Sequence, residues 1–213
     1  MKEKKQFCLV PEYAAFPLVF VVVWNQVIYS ATMVITRSWM HYNWEFKIDQ
    51  KIPFLPWTVS IYFACYIFWI VNYILSVRQD KESAYRFLGA DILAKAVCLL
   101  CFLLFPTTNI RPEIVGNTIW DELMRFLYQV DSASNLFPSI HCLVSWFCFI
   151  GVRGKKNIPK WYQAASCLMA IMVFISTLTT KQHVVVDVIG GIILAECSYW
   201  VTGKAVICYN RKY

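Results

Sequence analysis

The sequence predicts an all-α membrane protein, built as one bundle of about six transmembrane helices. The chain is 59% hydrophobic and only 15% charged, whereas a soluble domain carries about 25% charged residues. Nine Trp, twelve Tyr and fifteen Phe match the aromatic enrichment of membrane–water interfaces. Long apolar runs recur along the chain. We therefore expect a single membrane-embedded domain over residues 1–213.

Six apolar segments approach the roughly 20 residues that a helix needs to cross a bilayer. The fourth and fifth are the shortest. The predicted spans are residues 14–36, 56–77, 88–106, 138–152, 161–178 and 183–203.

The basic residues predict the orientation of the bundle. Thirteen of the twenty Lys and Arg residues fall at the set of span ends that includes both termini, and six fall at the opposite set. The terminal members of the larger set are Lys2, Lys4, Lys5, Arg211 and Lys212. Because basic residues mark cytoplasmic loops, both termini are expected in the cytoplasm. The net charge of +7 therefore reflects topology and does not indicate a nucleic-acid partner.

The longest outer loop, residues 107–137, contains a predicted amphipathic helix. Its apolar residues recur at helical spacing: Ile119, Trp120, Leu123, Phe126, Leu127 and Val130. Polar residues take the other side: Asp121, Glu122, Arg125 and Gln129. Such a helix lies at the bilayer surface, either as a lid over a lipid entrance or as a packed connector.

Charged residues inside the spans predict a polar clamp between helices. Asp91 and Lys95 are four residues apart, which suits an ion pair on one helix face, and Glu196 is placed to reach Lys95. Cys98 and Cys101 have the spacing of a zinc knuckle, but structural zinc normally needs four ligands and no second pair lies nearby. No metal and no cofactor is predicted.

A histidine and an aspartate stand four residues apart at the head of the last apolar segment. If that segment is helical, His183 and Asp187 share one face. The carboxylate can then bind one imidazole nitrogen and leave the other free to attack or to take a proton.

A second histidine, His141, also heads an apolar run and is expected at the same outer face. Arg111 and Lys181 are expected there too, and guanidinium and ammonium groups neutralise phosphate. Two histidines, an aspartate and cations beside a bilayer suit a phosphorylated lipid.

Three segments together resemble the signature of the type 2 phosphatidic acid phosphatase superfamily: residues 111–112, 138–141 and 183–187. Their order, their intervals and the six-span layout agree with that family. The longer matches over 131–141 and 180–183 are most similar to the branch that includes inositol phosphorylceramide synthases and related bacterial membrane proteins.

The resemblance implies a metal-free phosphohistidine mechanism. By position, His183 would be the nucleophile and Asp187 its orienting partner. His141 would protonate the departing alcohol and later deprotonate water. Arg111 would bind phosphate oxygens, and the Ser139 hydroxyl would add a donor.

Two cations of the family pattern are missing. Leu104 stands where the first motif has a lysine, and Thr177 where the third has an arginine. Lys181 is expected to substitute for one of them, and Asn109 or Thr180 to donate hydrogen bonds to the phosphate.

The predicted function is therefore an integral membrane phosphatase acting on a lipid phosphate monoester or pyrophosphate at the outer leaflet. Candidate substrates are phosphatidic acid, phosphatidylglycerol phosphate and a polyprenyl pyrophosphate. One alternative is a phosphotransferase, in which a hydroxyl replaces water. Another is a non-catalytic lipid-binding or transport module, which the missing cations favour and the retained His141, His183 and Asp187 oppose.

Overall fold

A computed structural model describes residues 9–210 and confirms the all-α membrane bundle. Within that range, five helical segments are long and apolar enough to cross a membrane, and one apolar helix is shorter. The long helices are α1 (Glu12–Thr36), α3 (Val59–Val77), α4 (Lys81–Leu104), α7 (Lys160–Thr179) and α8 (Val185–Asn210), and the shorter one is α6 (Ile140–Val152). The predicted orientation depends in part on terminal basic residues that lie outside the described range: Lys2, Lys4, Lys5, Arg211 and Lys212.

Short elements gather in the loops at one end of the bundle, where α1 leads to α3 and α4 leads to α6. They are β1 (Tyr42–Asn43), α2 (Lys47–Lys51), a 3-10 turn (Pro56–Thr58) that runs into α3, β2 (Thr107–Thr108) and α5 (Ile119–Val130). The two strands pair in parallel, with Tyr42 opposite Thr107. The turn from α7 to α8 lies at this same end, because successive spans alternate in direction.

The amphipathic helix predicted in the longest outer loop is α5. Thr118 caps its first turn by accepting a hydrogen bond from the Asp121 N–H, which satisfies a donor that the helix leaves free. Its inner residues Met124 and Leu127 are buried against Val59 and Tyr62. The helix therefore packs onto α3 instead of only resting on the bilayer.

Helix α6 is the centre of the bundle and packs against α3, α7 and α8. Gly191 lets α8 approach its first turn, because a Cβ there would lie 2.7 Å from the Ser139 carbonyl oxygen. At this crossing the Ser139 N–H donates to the Asp187 carbonyl oxygen at 3.1 Å. The close approach brings the starts of α6 and α8 together.

The charged residues predicted inside the spans belong to two separate ion pairs. Lys95 binds Asp91 at 2.8 Å, as predicted. The predicted reach of Glu196 to Lys95 is wrong, because Glu196 binds Arg153 at 2.6 and 2.9 Å and also accepts from the Trp146 indole. Arg153 ends α6 and is partly exposed, so this pair avoids the cost of burying two charges.

Candidate active site

His183 and Asp187 meet at the start of α8, but not as one helical turn. The helix begins at Val185, so His183 precedes it. The His183 Nδ1 lies 3.3 Å from Asp187 Oδ2, and the same oxygen accepts from the Val184 N–H at 3.1 Å. Asp187 Oδ2 thus has two roles: it caps the start of α8 and it orients the His183 imidazole. Because Nδ1 faces the carboxylate, Nε2 is left for chemistry.

The turn before His183 is held by its backbone. The Thr177 carbonyl oxygen accepts from the N–H groups of Gln182 and His183 at 2.9 and 3.1 Å. Lys181 adopts a φ of 55°, a left-handed conformation that is uncommon outside glycine. Its ammonium donates to the carbonyl oxygens of Asp49 and Ile52 at 2.9 and 2.6 Å. Lys181 therefore ties the turn to α2.

His141 lies in the first turn of α6, and its ring centroid is 6.0 Å from that of His183. Its Nδ1 is 3.3 Å from the Tyr62 hydroxyl, which donates to Asp131 Oδ2 at 2.6 Å. Since that hydroxyl has one proton and gives it to Asp131, its oxygen accepts from His141 Nδ1–H. The His141 Nε2 is then the free nitrogen, as it is in His183.

Asp131 follows α5, and its carboxylate accepts hydrogen bonds from two tyrosine hydroxyls. Tyr29 donates to its Oδ1 at 2.7 Å, so each carboxylate oxygen is held by one tyrosine hydroxyl. Burial opposes ionisation, but His141 and the hydroxyls of Tyr62 and Tyr29 outweigh it and lower the pKa of Asp131. This carboxylate therefore places a negative charge behind His141.

Arg111 connects the loop after α5 to the turn before α8. Its guanidinium donates to the Asp131 carbonyl oxygen at 2.6 Å and to Gln182 Oε1 at 2.5 Å, and it lies over the Tyr128 ring. Among the described residues, the buried Arg111 Nε and Gln182 Nε2 have no hydrogen-bond partner. Leaving such donors unpaired is costly. Gln182 also lines the first cavity described below, so its amide is placed to bind an anion there.

Ser139 and Asn109 support neighbouring backbone. The fully buried Ser139 caps α6, since its hydroxyl accepts from the Cys142 N–H at 3.2 Å. The Asn109 amide donates to the Lys181 carbonyl oxygen at 2.8 Å. Its Oδ1 is buried and has no partner within residues 9–210.

The two positions that lack the family cations supply no charge here. Leu104 is 66% exposed at the end of α4. Thr177 is buried, and its hydroxyl donates to the Phe174 carbonyl oxygen. Across the described part of the chain, no group of three or more His, Cys, Asp or Glu side chains is arranged to hold a metal ion.

Two cavities adjoin the site, and His183 lines both. The first has a volume of about 330 Å³ and is also lined by His141, Asp131 and Gln182. Its other walls combine aromatic and aliphatic side chains of α1, α3 and α5 with polar side chains of α1 and of residues 132–135. They include Tyr29, Phe63, Tyr66, Trp69, Leu127 and Val130. The second, of about 430 Å³, lies between α2, the residues before Arg111 and the turn before α8.

Sequence reasoning assigned no role to Tyr29, Tyr62, Asp131 or Gln182. The available signals were weak: Asp131 ends an amphipathic helix, and Gln182 directly precedes His183. The two tyrosines lie within apolar helices that carry no other mark of function. The geometry adds all four to the candidate site.

Comparison with known proteins agrees with this arrangement. A family model described as the PAP2 superfamily matches residues 31–201, which include both histidines, Asp187 and Arg111. Searches of curated proteins and of solved structures return no significant match. The match covers well over half of the chain, and the chain belongs to the PAP2 superfamily of phosphatase-type lipid enzymes.

Proposed function

We propose that this protein is a metal-independent lipid phosphatase that hydrolyses a lipid phosphate monoester or pyrophosphate through a phosphohistidine. The placement of His141 and His183 carries the proposal. Their ring centroids are 6.0 Å apart in one cavity, and the Nδ1 of each is held by a neighbour. That spacing suits one phosphoryl group between the two free nitrogens.

In the first step, the His183 Nε2 attacks phosphorus. The N–P bond forms, and the bond between phosphorus and the lipid oxygen breaks. His141 enters this step as the imidazolium, with Asp131 behind it, and gives its Nε2 proton to the departing oxygen, which spares the reaction a high-energy alkoxide. Asp187 stabilises the positive charge that develops on His183.

In the second step, water takes the place of the departed alcohol beside His141. His141 removes a proton from the water as it attacks phosphorus, and the N–P bond breaks. Phosphate leaves and His183 is restored. Gln182 lines the first cavity beside both histidines, so its unpaired amide donor is placed to stabilise the charge on the phosphoryl oxygens, and Arg111 holds that amide through Oε1.

The first cavity suits a lipid. Its aromatic and aliphatic walls come from α1, α3 and α5, so an acyl or prenyl chain can lie against them while its phosphate reaches the histidines. With the charge-based topology, both termini are cytoplasmic and the site faces the outer leaflet. The substrate is then drawn from that leaflet.

Phosphate release from detergent-solubilised lipids tests the proposal. Wild-type protein is expected to release phosphate from at least one of phosphatidic acid, phosphatidylglycerol phosphate and a polyprenyl pyrophosphate. EDTA should leave the rate unchanged, and millimolar vanadate should suppress it by imitating five-coordinate phosphorus. Strong inhibition by EDTA would contradict the metal-free mechanism, and insensitivity to vanadate would contradict the phosphohistidine.

Arg111→Lys is expected to lower turnover by about 10- to 100-fold. A lysine ammonium is a single point charge, whereas the guanidinium fork reaches both the Asp131 carbonyl oxygen and Gln182 Oε1. Phosphate release and thermal unfolding would be measured on the same preparation. Arg125→Lys is the matched control, because Arg125 is in the same outer loop and its guanidinium binds Glu122 and the carbonyl oxygens of Ile114 and Gly116. Equal rates for the two variants would remove Arg111 from the site.

A further inference from the structure

One residue of the loop between α1 and α3 contacts the chain on both sides of His183. The Asp49 carboxylate accepts from the Val185 N–H at 2.7 Å, and the Asp49 carbonyl oxygen accepts from the Lys181 ammonium at 2.9 Å. Lys181 stands two residues before His183, and Val185 two residues after it. Asp49 is therefore bonded to both flanks of the proposed nucleophile, although it lies far away in the sequence.

The Asp49 carboxylate is buried and fully engaged. Asp49 is 4% exposed, and its second carboxylate oxygen accepts from the Phe46 N–H at 2.8 Å. The Val185 N–H opens α8 and has no acceptor within the helix. A carboxylate at that position gives a strong, charge-assisted hydrogen bond and suits the positive end of the helix dipole. The contact therefore fixes the first turn of α8 against the loop.

The segment that carries Asp49 is itself attached to the end of α7. The Leu55 N–H donates to the Thr179 carbonyl oxygen at 3.0 Å. The Ser176 hydroxyl donates to the Thr58 carbonyl oxygen at 2.6 Å. The loop thus runs alongside the turn from α7 into α8 and is bonded to it at several points. The position of Asp49 relative to His183 is set by this backbone frame.

The contacts of Asp49 and Lys181 differ from those of groups that take part in the chemistry. Asp187, and not Asp49, meets the His183 ring at Nδ1. Both Asp49 carboxylate oxygens bind backbone N–H groups, so neither is free to take a proton. Two of the three Lys181 donors bind the carbonyl oxygens of Asp49 and Ile52. This pattern is typical of residues that act through the backbone around the nucleophile.

We propose that Asp49 and Lys181 are positioning residues for His183: they hold both flanks of the nucleophile and so direct its Nε2 at phosphorus. This inference rests on the proposed function. The attacking atom must approach phosphorus in line with the leaving oxygen, and a misplacement of about 1 Å can lower the rate about 10²-fold. Without these bonds His183 still contacts Asp187, but the turn that carries both can shift.

Asp49→Ala and Lys181→Met test this inference in the assay of phosphate release. Each variant is expected to lower kcat by about 10- to 100-fold. The inhibition constant of inorganic phosphate should stay within about threefold of the wild-type value, because Arg111 and the Thr177 carbonyl oxygen still hold Gln182. Loss of a phosphate ligand would instead raise that constant. The double variant should be little slower than either single one, because both changes release the same turn.

Asp121→Ala is the matched control. Asp121 is also a buried carboxylate at the start of a helix at this end of the bundle, and it accepts from the Thr118 N–H at 2.8 Å. Its loss removes a comparable cap, but from α5. Asp49→Ala and Asp121→Ala should therefore lower the thermal unfolding temperature by similar amounts, whereas kcat should fall only in Asp49→Ala.

The outcomes separate this inference from the proposed function. A wild-type kcat in Asp49→Ala, or an equal fall in Asp121→Ala, would overturn the inference and leave the phosphatase intact. A phosphate inhibition constant that rises in step with the loss of kcat would overturn it too. If Asp49→Ala does not fold, Lys181→Met decides by the same two measurements. Absence of any phosphate release that depends on His183 would overturn both.

Discussion

Replacing His183 by alanine is expected to abolish phosphate release from lipid substrates, with a fall on the order of 10⁴-fold or more, as for other enzymes that lose their nucleophile. His183 lines both cavities, and its Nδ1 faces Asp187, so no other group in the site is held for attack in the same way. Nothing would then form the bond to phosphorus. The measurement is phosphate release from the best wild-type substrate.

The fold should survive this change. Alanine removes the contact to Asp187, but Asp187 Oδ2 still accepts from the Val184 N–H, so the cost is about 1 kcal/mol. Thermal unfolding of both proteins would check this. His41→Ala is the matched control, since His41 is the third histidine of the chain and lines neither cavity. A His183→Ala protein with full activity would remove His183 as the nucleophile.

The covalent intermediate gives an independent test. Wild-type protein quenched during turnover of a radiolabelled lipid phosphate should carry label that is lost in acid and kept in base, as expected of a P–N bond. The label should be missing from His183→Ala. Label of the opposite stability would indicate an acyl phosphate and point to a carboxylate nucleophile.

Features set by local periodicity could be predicted from the sequence. The apolar repeat over 119–130 predicts α5 with its observed bounds, and the spacing of Asp91 and Lys95 predicts their ion pair. Both depend on one helix and its 3.6-residue turn. Five of the six predicted spans follow from length and hydropathy in the same way, and the fourth corresponds to the shorter apolar helix α6. Each of these inferences needs only neighbours along the chain.

The start of α8 shows the limit of a local rule. A helix from residue 183 was expected to stack His183 over Asp187, whereas the helix begins at Val185. The contact forms all the same, because an aspartate in the first turn can reach back over the open end of the helix. The expected neighbours were right, and the backbone that joins them was not.

Contacts between distant segments could not be predicted. Tyr62 and Asp131 are 69 residues apart, and Lys181 reaches Asp49 across 132. Periodicity carries no information on which faces of different helices meet. The contact of His141 with Tyr62 and Asp131 therefore became visible only with the fold. The same is true of the hydrogen bonds from Lys181 to α2.

His141→Asn is expected to slow hydrolysis of an alkyl phosphate lipid by about 10²- to 10⁴-fold, the contribution of a positioned general acid or base. The lipid alcohol must gain a proton as it leaves, and His141 is the ring held opposite His183 for that purpose. Asparagine can still hydrogen-bond to Tyr62, so the hydroxyl that binds Asp131 keeps a partner. The defect should then report proton transfer more than lost packing.

A substrate with an activated leaving group separates the two steps. Nitrophenolate departs without a proton, so His141→Asn should still be phosphorylated by 4-nitrophenyl phosphate. Water, however, lacks its base in the second step. The variant should show a burst of nitrophenolate equal to the enzyme concentration, followed by slow turnover. His183→Ala should show no burst, because no phosphoenzyme forms.

The burst also decides between His141 as proton donor and His141 as a structural residue. A variant that had only lost the shape of the site would be slow in both phases and with both leaving groups. A stoichiometric burst requires that His183, Asp187 and the phosphate-binding donors remain in place while one proton transfer fails. If the burst were impaired as much as the slow phase, His141 would be a structural residue. The general acid for the departing alcohol would then remain unidentified.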